Sequence, residues 1–134
     1  MRKAIFTAAL TGSIHTPSMS PYLPITARQL IDETLAVYEA GGTVAHIHTR
    51  DQETGRPLAD QDVFYEVASE VKKHSDIILC TTTGGRIDDS VENRGRVATT
   101  LKPELSSLNA GSLNFALFHI ADKIKEYKYD WERA

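Results

Sequence analysis

The chain has 134 residues, which suits a single domain, with 41% hydrophobic residues and a formal net charge of −3. Charges of both signs are spread along it, which argues against a nucleic-acid partner or a membrane surface, and its apolar runs are too short to span a bilayer. The single cysteine, Cys80, cannot form an internal disulfide, so we expect a cytoplasmic protein.

Strands and helices are predicted to alternate along the chain. The first predicted strand is the apolar run from Ala4 to Leu10. The polar residue Thr7 interrupts this run, which favours a strand over a signal peptide. Thr26 is the expected N-cap of a helix that ends at Gly41-Gly42. The later predicted elements are strand Thr43 to Thr49, a helix capped by Asp60, strand Asp76 to Thr83, a helix between Ser90 and Thr100, strand Glu104 to Asn109 and a helix starting or contained in Phe115 to Tyr127.

This alternation predicts an α/β fold with parallel strands, right-handed crossovers and helices packed outside. Two architectures fit the pattern: an open doubly wound sheet, or a (β/α)8 barrel of which this chain holds the first half. A complete barrel normally needs ~250 residues. Periodicity alone therefore favours the open sheet.

Two histidines interrupt the apolar pattern of the second predicted strand. Because side chains alternate along a strand, His46, His48 and Arg50 share the face opposite Ala45 and Ile47. Active sites of α/β proteins lie at the carboxyl ends of such strands. At ~3.3 Å of rise per residue the two histidine Cα atoms are roughly 6.6 Å apart, which lets both rings bind one zinc ion at ~2.0–2.1 Å. We therefore predict that His46 and His48 bind a divalent metal, with zinc as the first choice.

A catalytic zinc usually has three protein ligands, and the sequence shows no obvious third one. His15, in the loop after the first strand, is a candidate. We expect His74, at the end of an exposed helix, to be solvated, and His119, within an apolar helical pattern, to lie in the core.

Polar residues also end the third and fourth predicted strands. The run Thr81 to Gly85 can offer hydroxyls and backbone N–H groups to an anion, although threonine also suits strands and glycine suits turns. The run Ser106 to Ser112 does the same after the fourth strand. Arg50-Asp51 is explained either by a carboxylate-binding arginine or by a structural ion pair. Together these polar strand ends predict an active site at one edge of the sheet.

Several motifs resemble the β-keto acid cleavage enzymes, which include 3-keto-5-aminohexanoate cleavage enzyme. The resemblance covers essentially the whole chain and implies a TIM-type (β/α)8 barrel, with residues 1–134 as its N-terminal half and the source of about four β-α units. The matching runs are Ala9 to Ser20, Leu23 to Thr26, Glu39 to Gly42, His46 to Asp51, Thr54 to Pro57, Thr82 to Gly85, Lys102 to Glu104 and Ser107 to Phe115.

The resemblance implies metal-dependent cleavage of a β-keto acid with acetyl-CoA, giving acetoacetyl-CoA and a second acyl-CoA. It implies that His46 and His48 bind zinc together with a glutamate from the second half of the barrel. Thr82 or Thr83 matches one substrate-contacting hydroxyl residue, and Ser106 or Ser107 matches another. From these we assign catalytic roles to Thr82, Thr83 and Ser107, and substrate binding to His15, Arg50, Gly84, Gly85, Ser106 and Asn109.

The chain departs from the resemblance in two places. The loop reads Ser13-Ile14-His15 where the aminohexanoate enzyme has a glutamate for the substrate amine, so we expect a different β-keto acid. The glutamate ligand and the catalytic arginine and aspartate of the second half are also absent. We therefore expect an incomplete barrel that forms a homo-oligomer or depends on a missing C-terminal half.

Two alternative functions are kept. One is a catalytically inactive metal-binding fragment or scaffold. The other is an amidohydrolase-type metal hydrolase, a class that also uses a His-x-His motif but places it on the first strand.

Overall fold

The computed structural model of the protein describes residues 3–84, 89–108 and 123–133. Gly85, Asn109 and His119 lie outside the described residues, as does most of the predicted fourth helix, and residues 123–127 contain no helix. The elements in chain order are β1 (Thr7–Ala9), α1 (Ala27–Glu39), β2 (Val44–Ile47), α2 (Gln61–His74), β3 (Ile78–Thr81), α3 (Val91–Thr100), β4 (Leu105–Ser106) and a 3₁₀ helix (Asp130–Arg133).

The four described strands form one parallel sheet in the order β1-β2-β3-β4. The predicted α/β class with parallel strands is therefore confirmed. An open doubly wound sheet reverses its strand order at a switch point. The described strands show no such reversal, and each new strand is added on the same side, as in a (β/α)8 barrel.

The helices cover one face of the sheet and bury its core. Ala45 and Ile47 are fully buried under them, as the alternation in β2 predicts. The remaining core side chains on this side come from all three helices, from β3 and from the residue just before β3: Ala27, Leu30, Ile31, Val63, Phe64, Val67, Val71, Ile77, Leu79 and Val97. This packing fixes β2 against the helices and leaves its other face for the histidines.

Capping residues set the start of the first two helices. Thr26 accepts a hydrogen bond from the Gln29 backbone N–H, and the Gln29 side chain accepts one from the Thr26 N–H, which completes a capping box. Asp60 accepts hydrogen bonds from the first-turn N–H groups of α2. Gly41 then ends the first helical segment with φ of 90°, a conformation that glycine adopts without strain.

The strands at the two described edges of the sheet are shorter than predicted. β1 has three residues where Ala4 to Leu10 was expected, and β4 has two where Glu104 to Asn109 was expected. Each pairs with a neighbour on one side among the described residues, so fewer hydrogen bonds hold the extended backbone. Across the same parts of the chain, no helix has both the length and the apolarity needed to cross a membrane.

Candidate metal-binding active site

The two histidine rings of the His-x-His motif meet at the carboxyl end of β2. Nε2 of His46 lies 3.1 Å from Nε2 of His48, and the rings are steeply inclined at 80°. Two nitrogens bound to one zinc at ~2.0–2.1 Å, at the tetrahedral angle, stand roughly 3.3 Å apart. The same spacing also accommodates one N–H···N hydrogen bond between the rings. The pair therefore has the geometry of two ligands of one metal ion.

Both rings are held in the neutral form that binds metal. Burial lowers the pKa of His46. Burial lowers the pKa of His48 to about 4, and smaller contributions come from repulsion by His46 when that ring is protonated and from the positive charge of Arg50. Because a metal binds the unprotonated nitrogen, these shifts favour metal binding at neutral pH.

Cys80 contacts the far side of the His46 ring. The strand register places Cys80 of β3 opposite His46, and the Cys80 Sγ lies 3.4 Å from His46 Nδ1. Burial raises the pKa of the thiol, which keeps it protonated at neutral pH. Cys80 is half-buried and lies on the histidine face of the sheet. It shares that face with Ile78, opposite the buried Leu79.

A third metal ligand is not found among the described residues, which contain no group of three or more His, Cys, Asp or Glu placed to hold one ion. His15 lines the same cleft as the histidine pair but does not complete a ligand set within that part of the chain. His74 is exposed and lies 3.2 Å from the Glu70 carboxylate, as expected for a solvated helix end.

A cleft of about 400 Å³ opens beside the histidine pair. That volume is within the range of small-molecule sites. It lies at the carboxyl ends of β1 and β2, where α/β proteins bind their ligands. Its lining combines apolar and polar residues: Ala9, Leu10, Thr11, Gly12, His15, Ser20, Tyr22, Leu23, Pro24, His46 and His48.

The predicted hydroxyl residues gather at the ends of β3 and β4. The Thr83 hydroxyl donates to the Ser107 carbonyl at 2.5 Å, and the Ser107 hydroxyl accepts from the Thr83 N–H at 3.2 Å. Thr82 Oγ1 accepts from the Gly84 N–H at 2.9 Å. The Ser106 hydroxyl lies 3.0 Å from that of buried Thr81, the first residue of the polar run that ends the third predicted strand.

These hydroxyls bond mainly to one another and to nearby backbone. The structure thus brings Thr82, Thr83, Gly84, Ser106 and Ser107 together in a second group, separate from the residues that line the cleft. Their catalytic and substrate-binding roles remain predictions.

Arg50 is a buried charged residue beside the site, with 1% of its surface exposed. Its guanidinium donates to the Thr11 hydroxyl at 3.1 Å and to the carbonyls of Gly55 at 2.7 Å, His15 at 2.8 Å and Gly12. Burial lowers its pKa to about 10, so it stays charged at neutral pH.

A structural ion pair was one of the two explanations for the Arg50-Asp51 sequence. The described residues form no ion pair with either side chain. Among the described residues no carboxylate lies within ion-pair distance of Arg50. The Asp51 carboxylate instead accepts hydrogen bonds from the Thr54 N–H at 2.7 Å and the Thr54 hydroxyl at 2.6 Å, which lower its pKa and close a turn.

The chain is similar to curated enzymes over most of its length. It is 46% identical over 132 residues to the 3,5-dioxohexanoate:acetyl-CoA acetone transferase of Paraburkholderia graminis, covering 98% of this chain and 43% of that protein. It is 38% identical over 113 residues to the 3-oxoadipate:acetyl-CoA acetyltransferase of Cupriavidus necator, covering 83% of this chain and 38% of that protein. The chain therefore spans less than half the length of these relatives.

The fold is also similar to a solved structure, the ternary complex of ObcA with a C4-CoA adduct and oxalate. The TM-score is 0.56 at 28% identity, over 66% of this chain and 24% of that one. A family model described as beta-keto acid cleavage enzyme matches residues 3–133. With a match across nearly all of its residues, the chain belongs to the β-keto acid cleavage enzyme family.

Proposed function

We propose that this chain supplies the metal-binding part of an active site that cleaves a β-keto acid with acetyl-CoA, giving acetoacetate and one acyl-CoA. Acetyl-CoA brings a single CoA into the reaction, so the expected products, acetoacetyl-CoA and a second acyl-CoA, do not balance. The observation that carries the proposal is the approach of His46 Nε2 to His48 Nε2, 3.1 Å apart beside a cleft at the sheet edge. The names of the two relatives, both acetyl-CoA-dependent transferases, support the same class of reaction.

The Nε2 atoms of His46 and His48 would hold a zinc ion through their lone pairs. Bound there, zinc supplies a Lewis acid that stabilises negative charge on the keto oxygen during carbon–carbon cleavage. Burial keeps both rings neutral, so the ligand atoms need lose no proton at neutral pH. The apolar residues of the cleft, such as Leu10 and Leu23, limit the access of water to the acid.

The hydroxyl residues at the ends of β3 and β4 are proposed to contact the substrate from a neighbouring position. The Thr83 hydroxyl hydrogen already points to the Ser107 carbonyl. In this arrangement Thr83 can accept a hydrogen bond from a substrate group but cannot donate one. Its proposed role is therefore to accept a hydrogen bond from an N–H or O–H group of a substrate rather than to protonate the acid.

The position of the histidine motif weighs against the amidohydrolase alternative. That class carries the motif on its first strand, whereas here it begins on β2, after the complete unit of β1 and α1. The competing proposal is a catalytically inactive fragment or scaffold. Such a protein would bind a metal at the same histidines but would not turn over the substrate.

We further propose that the chain works as an assembly, either with a second copy or with a complementary half-barrel. Large apolar side chains are exposed at both described edges of the sheet: Ile5 (80%) and Phe6 (66%) beside β1, and Leu105 (46%) and Leu108 (86%) beside β4. Such residues on an open edge promote association. A compact, folded monomer in sedimentation at micromolar concentration would contradict this.

The decisive experiment compares wild type, His48→Ala and His74→Ala for zinc content and for the formation of acetoacetate and acyl-CoA from acetyl-CoA and candidate β-keto acids. His74 is the matched control because it lies on the surface beside Glu70. We expect His48→Ala to lose zinc and turnover, and His74→Ala to keep both. Zinc without turnover in wild type selects the scaffold, and equal zinc in all three proteins rules out the metal site.

A further inference from the structure

We propose that Arg50 is a positioning residue that holds the wall of the cleft in place, and that it does not touch the substrate. The proposal rests on the proposed function in one respect, namely that the cleft beside the histidines is where the β-keto acid binds. The Arg50 side chain is buried and is not among the residues that line this cleft.

The hydrogen bonds of Arg50 join two segments that are far apart in sequence. Three of them run to the segment after β1, at Thr11, Gly12 and His15, and one runs to Gly55 in the loop after β2. A guanidinium has five N–H donors, so these contacts use most of its capacity. The first segment forms the cleft wall, which makes Arg50 the link between that wall and the strand carrying the histidines.

Close packing at Gly55 supports the same arrangement. Gly55 has φ of 69°, and a Cβ built there would lie 2.7 Å from Pro17 Cγ and 3.1 Å from Ile25 Cδ1. The loop after β2 therefore lies directly against the segment between β1 and α1. The Gln52 side chain adds a further tie by accepting a hydrogen bond from the Ala27 N–H at 3.0 Å.

The acceptors explain why arginine is needed at this position. All four are neutral, three of them backbone carbonyls that no substitution can remove. A planar fork with several fixed donors reaches carbonyls in different directions, whereas a lysine ammonium is a compact point charge. Without the Arg50 guanidinium, these carbonyls lose their hydrogen-bond donors. We therefore expect the segment after β1 to become less ordered.

The metal pair does not depend on this link in the same way. His46 lies within β2 and is held by hydrogen bonds to β1 and β3. His48 follows directly after the end of β2, and its ring contacts His46 and not the Arg50 guanidinium. Removal of the Arg50 side chain should therefore separate two properties: zinc stays bound, while the wall of the cleft loses its order. In a complete enzyme this appears as a larger effect on KM for the acid than on kcat.

The test measures zinc content and hydrogen exchange of residues 11–20 in Arg50→Met and Arg50→Lys, with Arg56→Met as control. Arg56 is an exposed arginine in the same loop. We expect Arg50→Met to keep the zinc content of wild type while amide exchange in residues 11–20 rises by roughly tenfold or more. Arg50→Lys should show a smaller rise, and Arg56→Met none.

A milder variant covers the case in which Arg50→Met does not fold. Thr11→Val removes the acceptor of the Arg50 Nε and a long 3.4 Å hydrogen bond from the Thr11 hydroxyl to the Gly12 carbonyl, and it leaves the other Arg50 contacts in place, so a smaller rise in exchange confined to this segment is expected. His48→Ala should show the opposite pattern, with zinc lost and protection kept. Unchanged exchange in both Arg50→Lys and Thr11→Val, or loss of zinc in Arg50→Met equal to that in His48→Ala, would overturn the proposal. A wild type that forms no acetoacetate and acyl-CoA removes the proposed function but leaves this exchange pattern intact.

Discussion

The Cys80 thiol lies 3.4 Å from Nδ1 of His46, on the side of the ring away from Nε2. When the Nδ1 hydrogen points at the sulfur, Nε2 carries the free lone pair that a metal requires. The register of β2 and β3 therefore gives His46 a partner that orients the ring.

Replacement of Cys80 should weaken zinc binding without removing it. Loss of the contact that orients a metal-binding histidine costs about 10- to 100-fold in affinity. We expect a fall of this size for Cys80→Ala and a smaller one for Cys80→Ser, whose hydroxyl is a partial replacement. Competition with a chromophoric chelator measures the zinc affinity. An unchanged affinity in Cys80→Ala would show that the thiol does not orient His46.

The stability of the metal-free chain should depend on pH through His48. Its pKa is about 4 in the folded chain, against 6.5 for a solvated histidine such as the unfolded chain presents. As pH falls below 6.5 the unfolded state takes up the proton first, so the free energy of unfolding decreases towards pH 4. The slope is at most about 1.4 kcal/mol per pH unit for one proton.

Urea unfolding between about pH 7 and pH 5, with a chelator present, measures this dependence. His48→Gln should show a shallower slope over the same interval because its side chain does not titrate. Equal slopes in the two proteins would mean that other groups control the acid sensitivity.

Phe64 and Tyr65 form a matched pair for testing the core. Phe64 is fully buried beneath the sheet, whereas the next residue, Tyr65, is 66% exposed. Phe64→Ala should lower the free energy of unfolding by about 3–5 kcal/mol, since it removes a large side chain and leaves a cavity. Tyr65→Ala should change it by less than about 0.5 kcal/mol. Denaturant unfolding of both variants checks the expectation, and similar losses would contradict the packing described here.

The first turn of α2 depends on its cap. The Asp60 carboxylate accepts hydrogen bonds from the N–H groups of Asp62 at 2.9 Å and Val63 at 3.1 Å. Asp60→Ala should therefore cost about 0.5–2 kcal/mol of stability. Glu66→Ala, at an exposed position within the same helix, is the control and should have little effect. Thermal and urea unfolding both report the difference.

The face of β2 that carries the histidines could be predicted because alternation is a local property of a strand. The same holds for the burial of Ala45 and Ile47 and for the caps at Thr26 and Asp60. Each depends on residues within a few positions of one another. Sequence spacing was therefore sufficient for the parts of the site that lie on one element.

The contacts of Cys80 and Arg50 could not be predicted in that way. Cys80 meets His46 across a strand register, over 34 positions of sequence, and Arg50 meets Thr11 across 39. Both depend on how separate elements come together in space. The pattern around Arg50 indicated a charge that needs partners but did not show that those partners are carbonyls.

The histidine pair and the cleft wall lie on different parts of the chain, and this has an evolutionary consequence. His46 lies in β2 and His48 directly after it, while much of the cleft wall belongs to the segment between β1 and α1. Mutations accumulating in that segment after gene duplication would alter the shape of the cleft while the two ring nitrogens stay where they are. Under the proposed function, one inherited histidine pair could in this way give rise to descendants that accept different acids.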